Sequence, residues 1–471
     1  MSEIVKFNNR NFIFECGAIS NRVTDGSPDP KIIPISYNTI GEIVVTDSLF
    51  DPFLDGKITL RTTNNGLEST PILNFEFFAN NNNTISFSIE PEDTVNGDEY
   101  VKKHNIVGFR GIICHSDTYG PDTGIGQLHS FRLVDYREAI LKQTKLTAIQ
   151  IPKVDRNYNI SQNIDKITRE VLNIGVNAGD IESSNYIAEN DSGSIRFDYV
   201  YPTHYNAFDA INFLIPYNIT DIGELPIQNI LRYNYIYDIF GSMPITQVFQ
   251  NPYSQESNLE TFVIGEDQSE PIPGLTQDRD PSGPNSAVIL PDNKINNIAY
   301  NNIHFDVSNN DLLPICVINT TNPLNVVNMV YVDLQDQIKL FDKNIIKDNL
   351  SQLYGRDVKL NIDIDFSKTN KTNYKIVNTN FDIDTAVKIA KAQLYNSFIF
   401  QNMQMTIVTR GQPYREPGKF ININKQQNLN TGSAADRKLI GQWLVTEVQH
   451  IFTGTGTYTN VIQCVKPFIN K

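Results

Sequence analysis

The stretch RKLIGQWLVTEVQHIFTGTGTYTNVIQCVKPF, Arg437 to Phe468, decides the reading of this chain. It has the form of one antiparallel hairpin: a strand from Trp443 to Phe452, a glycine turn from Thr453 to Thr457, and a return strand from Tyr458 to Phe468. Strict alternation places Leu444, Thr446, Val448, His450 and Phe452 on one face, which makes that face apolar and the other wet.

Working outward, the same period of two recurs. Gly56 to Leu60 alternates through Ile58 and Leu60, and Thr84 to Glu90 through Ile85, Phe87 and Ile89. The clearest such pattern is Val358, Leu360, Ile362, Ile364 and Phe366, with polar residues between. Clusters of Asn, Asp, Gly and Ser such as Asn80 to Asn83 supply the turns. Helical spacing occurs in four places. Ser161 can cap a helix with Ile164, Ile167, Val171 and Ile174 on one face and Gly175 as its stop. Asn206 can cap a second, with Ala207, Ala210, Ile211 and Leu214, ended by Pro216. A third runs through Ile338, Phe341, Ile345 and Leu350, and a fourth, from near Asp384, carries Val387, Ala390, Leu394 and Phe398. From Ser254 to Lys294 the sequence is polar, rich in Pro and Gly and without period, and reads as a long loop or insertion.

The chain has 471 residues, 40% of them hydrophobic and 20% charged, enough for two to four domains with cores of their own. A net charge of −14 argues against a nucleic-acid grip, because phosphate binding needs a basic surface, whereas the wall of a conduit could be acidic. The first thirty residues have no basic start followed by an apolar run, and no eighteen apolar residues run together, so neither a signal peptide nor a membrane-spanning helix is expected. Cys16, Cys114, Cys316 and Cys464 lie far apart and read as free buried thiols.

Catalytic signals are weak. The six histidines, His104, His115, His129, His204, His304 and His450, form no HExxH motif or close ligand pair. His450 reads as a packed or interface residue on its apolar strand face. Gly120 to Gly126, GPDTGIG, lacks the Lys-Ser/Thr of a phosphate loop and reads as a hairpin tip. The acids of DIDIDF alternate along one strand and do not make a glycosidase pair. No catalytic residue, cofactor site or metal site is assigned, and the chain is read as a non-enzyme.

The C-terminal hairpin resembles the closing hairpin of the tail hub proteins of contractile-tailed phages, the family that includes VgrG-like spikes of type VI secretion and the late control D proteins. Gly441, Trp443, His450 and Tyr458 carry the likeness. The preceding MQMTIVTRGQPYREPGKFININ, Met403 to Asn424, is similar to that family's entry strand, glycine bend at Gly411 and following strand after Gly418. NISQNIDKITREVLN and PTHYNAFDAINFLI resemble the two helices between its barrels, GEIVVTDSLFDPFLDGKITL (Gly41 to Leu60) its first hairpin, and FRLVDYREAILK (Phe131 to Lys142) the end of its first barrel.

The resemblance implies an α+β, β-rich fold with two tail-tube-like β-barrels joined by helical and mixed subdomains. The corresponding divisions are an N-terminal extension over 1–35, a first barrel over 36–150, a connector over 151–253, the polar segment over 254–295, a mixed region over 296–400, and the closing strands of a second barrel over 401–471. It implies a structural virion protein in a tail baseplate, assembled in the host cytoplasm. As a homotrimer it would adapt a six-fold tube to a three-fold central spike. Its partners would be the spike protein, tail-tube or tube-initiator proteins and baseplate wedge proteins, with DNA only as passing cargo and no membrane insertion. The rival readings are another tail component, such as a tube initiator, and a carbohydrate-binding or carbohydrate-degrading tail module.

Overall fold

The computed structural model describes residues 2–8, 10–20, 31–62, 84–92, 107–119, 127–178, 195–222, 225–234, 239–244, 260–264, 295–301, 315–319, 328–332, 375–379, 388–389, 392, 404–425 and 441–465. The described residues of the N-terminal part form eight strands and one short 3-10 turn (Tyr37–Thr39): β1 (Ser2–Phe7), β2 (Arg10–Ser20), β3 (Lys31–Pro34), β4 (Ile40–Ser48), β5 (Asp55–Thr62), β6 (Thr84–Pro91), β7 (Val107–Tyr119) and β8 (Gln127–Asp135). They pair antiparallel in the order β1-β2-β6-β7-β8-β5-β4, with β3 on β2. The alternation expected around Ile58 and Ile85 is present: Ile58, Leu60, Ile85, Phe87 and Ile89 all enter the first core beside Phe12, Phe14, Phe109 and Phe131. Gly56 and Gly111 flank Phe109, and a Cβ on either would sit within 2.5 Å of its ring, so the close approach requires glycine there. Strands β7 and β8 pair antiparallel on either side of residues 120–126, which themselves lie outside the described residues.

At Asp135 the chain turns from strand to helix. The Asp135 carboxylate accepts a 2.8 Å hydrogen bond from the Arg137 N–H and caps α1 (Tyr136–Gln143), a helix that the sequence reading did not separate from the strand. The connector follows with β9 (Lys153–Val154), α2 (Ile160–Leu172), β10 (Val176–Ala178), β11 (Tyr199–Val200), α3 (Ala207–Leu214), β12 (Ile219–Ile222), β13 (Leu225–Asn234) and β14 (Ile239–Pro244). The cap of α2 is Asn159 and not Ser161: Asn159 and Gln162 bond reciprocally in a capping box, and Asn173, at φ +58°, ends the helix before Gly175 is reached. Ile164 and Ile167 are fully buried as their spacing requires, and Asn206 caps α3 as expected, with Asp209 completing its box. The helices pack with the β10-β14-β13-β12 sheet around a second core, which Ile389 and Ala392 also enter.

The remaining strands are β15 (Glu260–Ile264), β16 (Ile295–Asn301), β17 (Ile315–Asn319), β18 (Asn328–Val332), β19 (Lys375–Thr379), β20 (Gln404–Arg410), β21 (Phe420–Lys425), β22 (Gly441–Thr453) and β23 (Tyr458–Val465). Strands β17, β18 and β19 form a small sheet of their own. The stretch read as a continuous loop from Ser254 contains β15, which pairs in parallel with β21; its sequence ETFVI is rich in β-branched and aromatic residues. Cys114 is exposed, against the expectation of burial, because it lies beside the irregularity between Ile113 and His115 where β7 loses register with β8; Cys16 and Cys464 are buried. The patterns at Val358 to Phe366 and from Ile338 to Gly355 lie outside the described residues, as do Val387, Ala390, Leu394 and Phe398.

The two ends of the chain meet in one sheet. Strand β4 pairs with β22, so the path continues β4-β22-β23-β20-β16, and with β3, β15 and β21 the sheet has 14 strands among the described residues. The protein is therefore β-rich α+β, as the sequence implied.

Candidate functional site: the clasp at the C-terminal hairpin

The hairpin β22–β23 serves two cores. A bulge between Val445 and Glu447 divides β22. Before it the strand pairs with β21 and is buried on both faces; after it the same edge pairs with β4 and burial alternates. The bulge also shifts the phase, so that Trp443 and Val445 join Val448, Ile462 and Cys464 in a core with Met405, Ile407, Ile421 and Ile423. Strict alternation had grouped Leu444 and Thr446 with Val448 instead. Thr446 uses its carbonyl to accept from the Leu49 N–H at 2.8 Å. The far end of the hairpin leaves that core: Phe452 and Tyr458 stack at 4.1 Å and belong to the N-terminal core, edge-on to Phe7.

Between the two cores sits a buried polar group. Asn460 Oδ1 accepts from the Gln412 N–H at 2.7 Å and from Arg415 Nη1 at 3.0 Å. Its amide nitrogen therefore donates, at 3.1 Å, to His450 Nδ1, which also lies 2.7 Å from the Tyr458 hydroxyl. A ring nitrogen that accepts carries no proton, so His450 is the neutral Nε2–H tautomer. Burial, with Arg415 nearby, pushes its pKa down to about 4, and burial raises that of Tyr458. These side chains bond to one another out of water, which makes them a fastening.

Four glycines shape it. The Gly411 N–H donates to the Tyr458 carbonyl at 2.9 Å, and a Cβ there would lie 2.3 Å from the tyrosine ring. Gly418, at φ +89°, donates to the Val445 carbonyl, and Gly441, at φ +114°, opens β22. Gly454 passes over the Ile40 carbonyl so closely that a Cβ would be 2.1 Å away. Trp443 is fully buried. The residues singled out in the sequence, Gly411, Gly418, Gly441, Trp443, His450 and Tyr458, thus all lie along this hairpin and the bend that approaches it.

The other side is fastened by residues that no local pattern singles out. Asn8, at φ +48°, bonds to the Tyr458 main chain through both side-chain atoms, and its N–H donates to the Gly456 carbonyl at 3.0 Å. Arg410 donates to the Asn8 carbonyl, Arg10 to Gln412, and the Tyr37 hydroxyl to the Thr453 carbonyl at 2.6 Å. A second joint ties in the connector. Arg232 on β13 holds both oxygens of Asp47 on β4, at 2.6 and 2.8 Å, and donates to the Pro417 carbonyl at 3.2 Å. Beside it the Arg137 guanidinium lies between the rings of Tyr136 and Tyr233.

The sheet face turned away from these cores is half-exposed. It presents Glu42, Val44 and Thr46 on β4, Asp55, Lys57, Thr59 and Arg61 on β5, and Leu128, Ser130 and Arg132 on β8, and these line an open depression of about 710 Å³. Past β4 the face continues over Glu447, Gln449 and Ile451 to Thr459, Val461 and Gln463. The other described histidines are scattered. His115 lines the depression, His129 is half-buried with its pKa lowered by that burial, and His204 meets Tyr205 edge-on. Among the described residues there is no group of three or more potential metal ligands, and no helix is long and apolar enough to cross a membrane.

No protein-family model and no curated protein sequence matches the chain. Its fold is similar to that of solved tail proteins. The tail protein from Neisseria meningitidis MC58 superposes with a TM-score of 0.51 at 8% identity, covering 96% of each chain. The 43 kDa tail protein of prophage MuSo2 from Shewanella oneidensis covers 96% of this chain and 98% of its own, at 10% identity and a TM-score of 0.49. A chain of the Francisella PdpA-VgrG complex covers 99% of this chain and 54% of its own, at 11% identity and a TM-score of 0.45. What the first of these likenesses carries is the fold, end to end.

Proposed function

We propose that this chain is a structural tail protein, the trimeric hub of a baseplate that joins a six-fold tail tube to a three-fold central spike and lines part of the DNA conduit. The observation that carries the reading is the shared hairpin. One strand pair closes two separate cores and, on its other side, continues one half-exposed polar face from β8 to β23. We read the two cores as two tube-like barrels, the first wrapping from β1 round to the hairpin that Asn8 touches, the second built on β20 to β23. Three chains then supply six such units around one axis, which is the arithmetic a six-to-three adaptor needs. The end-to-end likeness to a tail protein supports this, and the fully bonded state of the buried His–Tyr–Asn–Arg group favours a fastening role over catalysis. The spike, the tube or its initiator and the wedge proteins are the partners this position implies. Sedimentation equilibrium of the purified chain at micromolar concentration, alone and with the spike protein, tests it. Three copies per particle is the expected mass; a monomer under both conditions would remove the hub reading.

A further inference from the structure

The half-exposed face has an internal charge arrangement that its composition does not reveal. From β8 through β5 and β4 to β22 it carries three cations, Lys57, Arg61 and Arg132, and three carboxylates, Glu42, Asp55 and Glu447. The rest are Thr, Ser, Gln and aliphatic side chains. Lys57 on β5 reaches Glu42 on β4 at 3.1 Å, and Arg132 on β8 reaches Asp55 on β5 at 3.2 Å. Glu447 accepts from Gln449 at 3.2 Å and Gln463 at 2.9 Å, and burial raises its pKa. The side chains of both ion pairs are between 36% and 65% exposed, and pairs as open as these add little to stability. Their main effect is on the field above the sheet: a cation bonded to a carboxylate 3 Å away is a short dipole, whose attraction for a third charge falls off faster than that of a bare cation.

We infer that the cross-strand pairs Lys57–Glu42 and Arg132–Asp55 silence this face toward a polyanion, so that a phosphodiester backbone passes over it without being held. This rests on the conduit reading and deepens it: acidic charge elsewhere on the chain would repel DNA at long range, whereas the local pairing removes two of the face's three cationic points at contact distance and leaves Arg61, a single cation, as a weak contact. A bare Lys or Arg facing DNA takes up a phosphate and releases a counterion, so two freed cations should make a measurable, salt-dependent binding site.

The test compares three forms of the full chain for binding of a labelled 20-base-pair duplex by fluorescence anisotropy between 20 and 200 mM salt. The parent chain is expected to bind negligibly. The double variant Glu42→Gln/Asp55→Asn, which frees Lys57 and Arg132 while leaving an oxygen for the Gly56 N–H, is expected to bind at least about tenfold tighter at low salt. Its log-affinity should fall with log salt at a slope near −1.8, as two phosphate contacts require. The control Glu92→Gln/Glu170→Gln changes net charge equally at exposed acids that make no ion pair among the described residues, and should behave like the parent. Tight binding by the parent, an equal gain in the control, or no gain in the double variant would each overturn the inference. Particle mass reports separately on the hub: a trimer without the binding gain keeps that reading and ends this one, and a gain in a monomer does the reverse.

Discussion

At the scale of single residues, the sequence marked one side of the clasp and was silent on the other. Gly411, Gly418, Gly441, Trp443, His450 and Tyr458 stood out because turns and aromatic strand starts are local signals. Asn8, Arg10 and Arg232 did not, because each meets its partner across 185 to 450 positions of chain, a distance over which no periodicity speaks. The tautomer of His450 gives the sharpest expectation. Its folded pKa of about 4 lies below the value of about 6.5 for an exposed imidazole, so the unfolded chain takes up a proton first. Its contribution to stability is therefore complete above pH 6.5, declines as pH falls, and is lost through pH 4, a total of about 3 kcal/mol at 1.36 kcal/mol per unit. Urea unfolding midpoints of parent and His450→Gln between pH 7.5 and 4 check this: the parent should lose more stability than the variant over that range, and parallel curves would refute the assignment. Gly411→Ala, whose Cβ meets the Tyr458 ring and not a flexible chain end, should cost about 1–3 kcal/mol by overpacking, read as a lower thermal midpoint.

At the scale of elements, periodicity did well where one face was buried and failed where geometry broke the period. Strands β5 and β6 and helices α2 and α3 were legible from their spacing, although the α2 cap lay two residues before the one expected, since Asn159 has Gln162 at the right distance for a capping box and Ser161 instead bonds to Asn218 and Ser242. The bulge in β22 could not be read, because nothing in WLVTEV announces an extra residue; only its two partners, β21 before and β4 after, reveal why it is there. Strand β15 was hidden by its polar flanks. Because it pairs with β21, removal of residues 254–294 should cost stability in the C-terminal core. Hydrogen exchange should show faster exchange in β21 in such a deletion while α2 keeps its protection. Unchanged exchange in β21 would mean that the pairing contributes nothing.

At the scale of the molecule, the β-rich α+β class and the likeness of fold to a tail protein were legible, whereas the joining of the two ends into a single sheet of 14 described strands was not. The β4·β22 pairing spans about 400 positions, and loop closure over that length leaves no local trace in composition. The same pairing explains how both ends can act together: whatever orients the hairpin orients the N-terminal core, the C-terminal core and the face between them, while the Arg232–Asp47 pair carries the connector with it. In a conduit that face must point inward. Electron cryo-microscopy of the purified particle measures it directly. The expected particle is a three-fold ring around an open channel with Lys57, Thr59, Gln449 and Gln463 on the channel wall; a particle without three-fold symmetry, or a ring with those residues on its outer surface, would rule out the hub and its conduit.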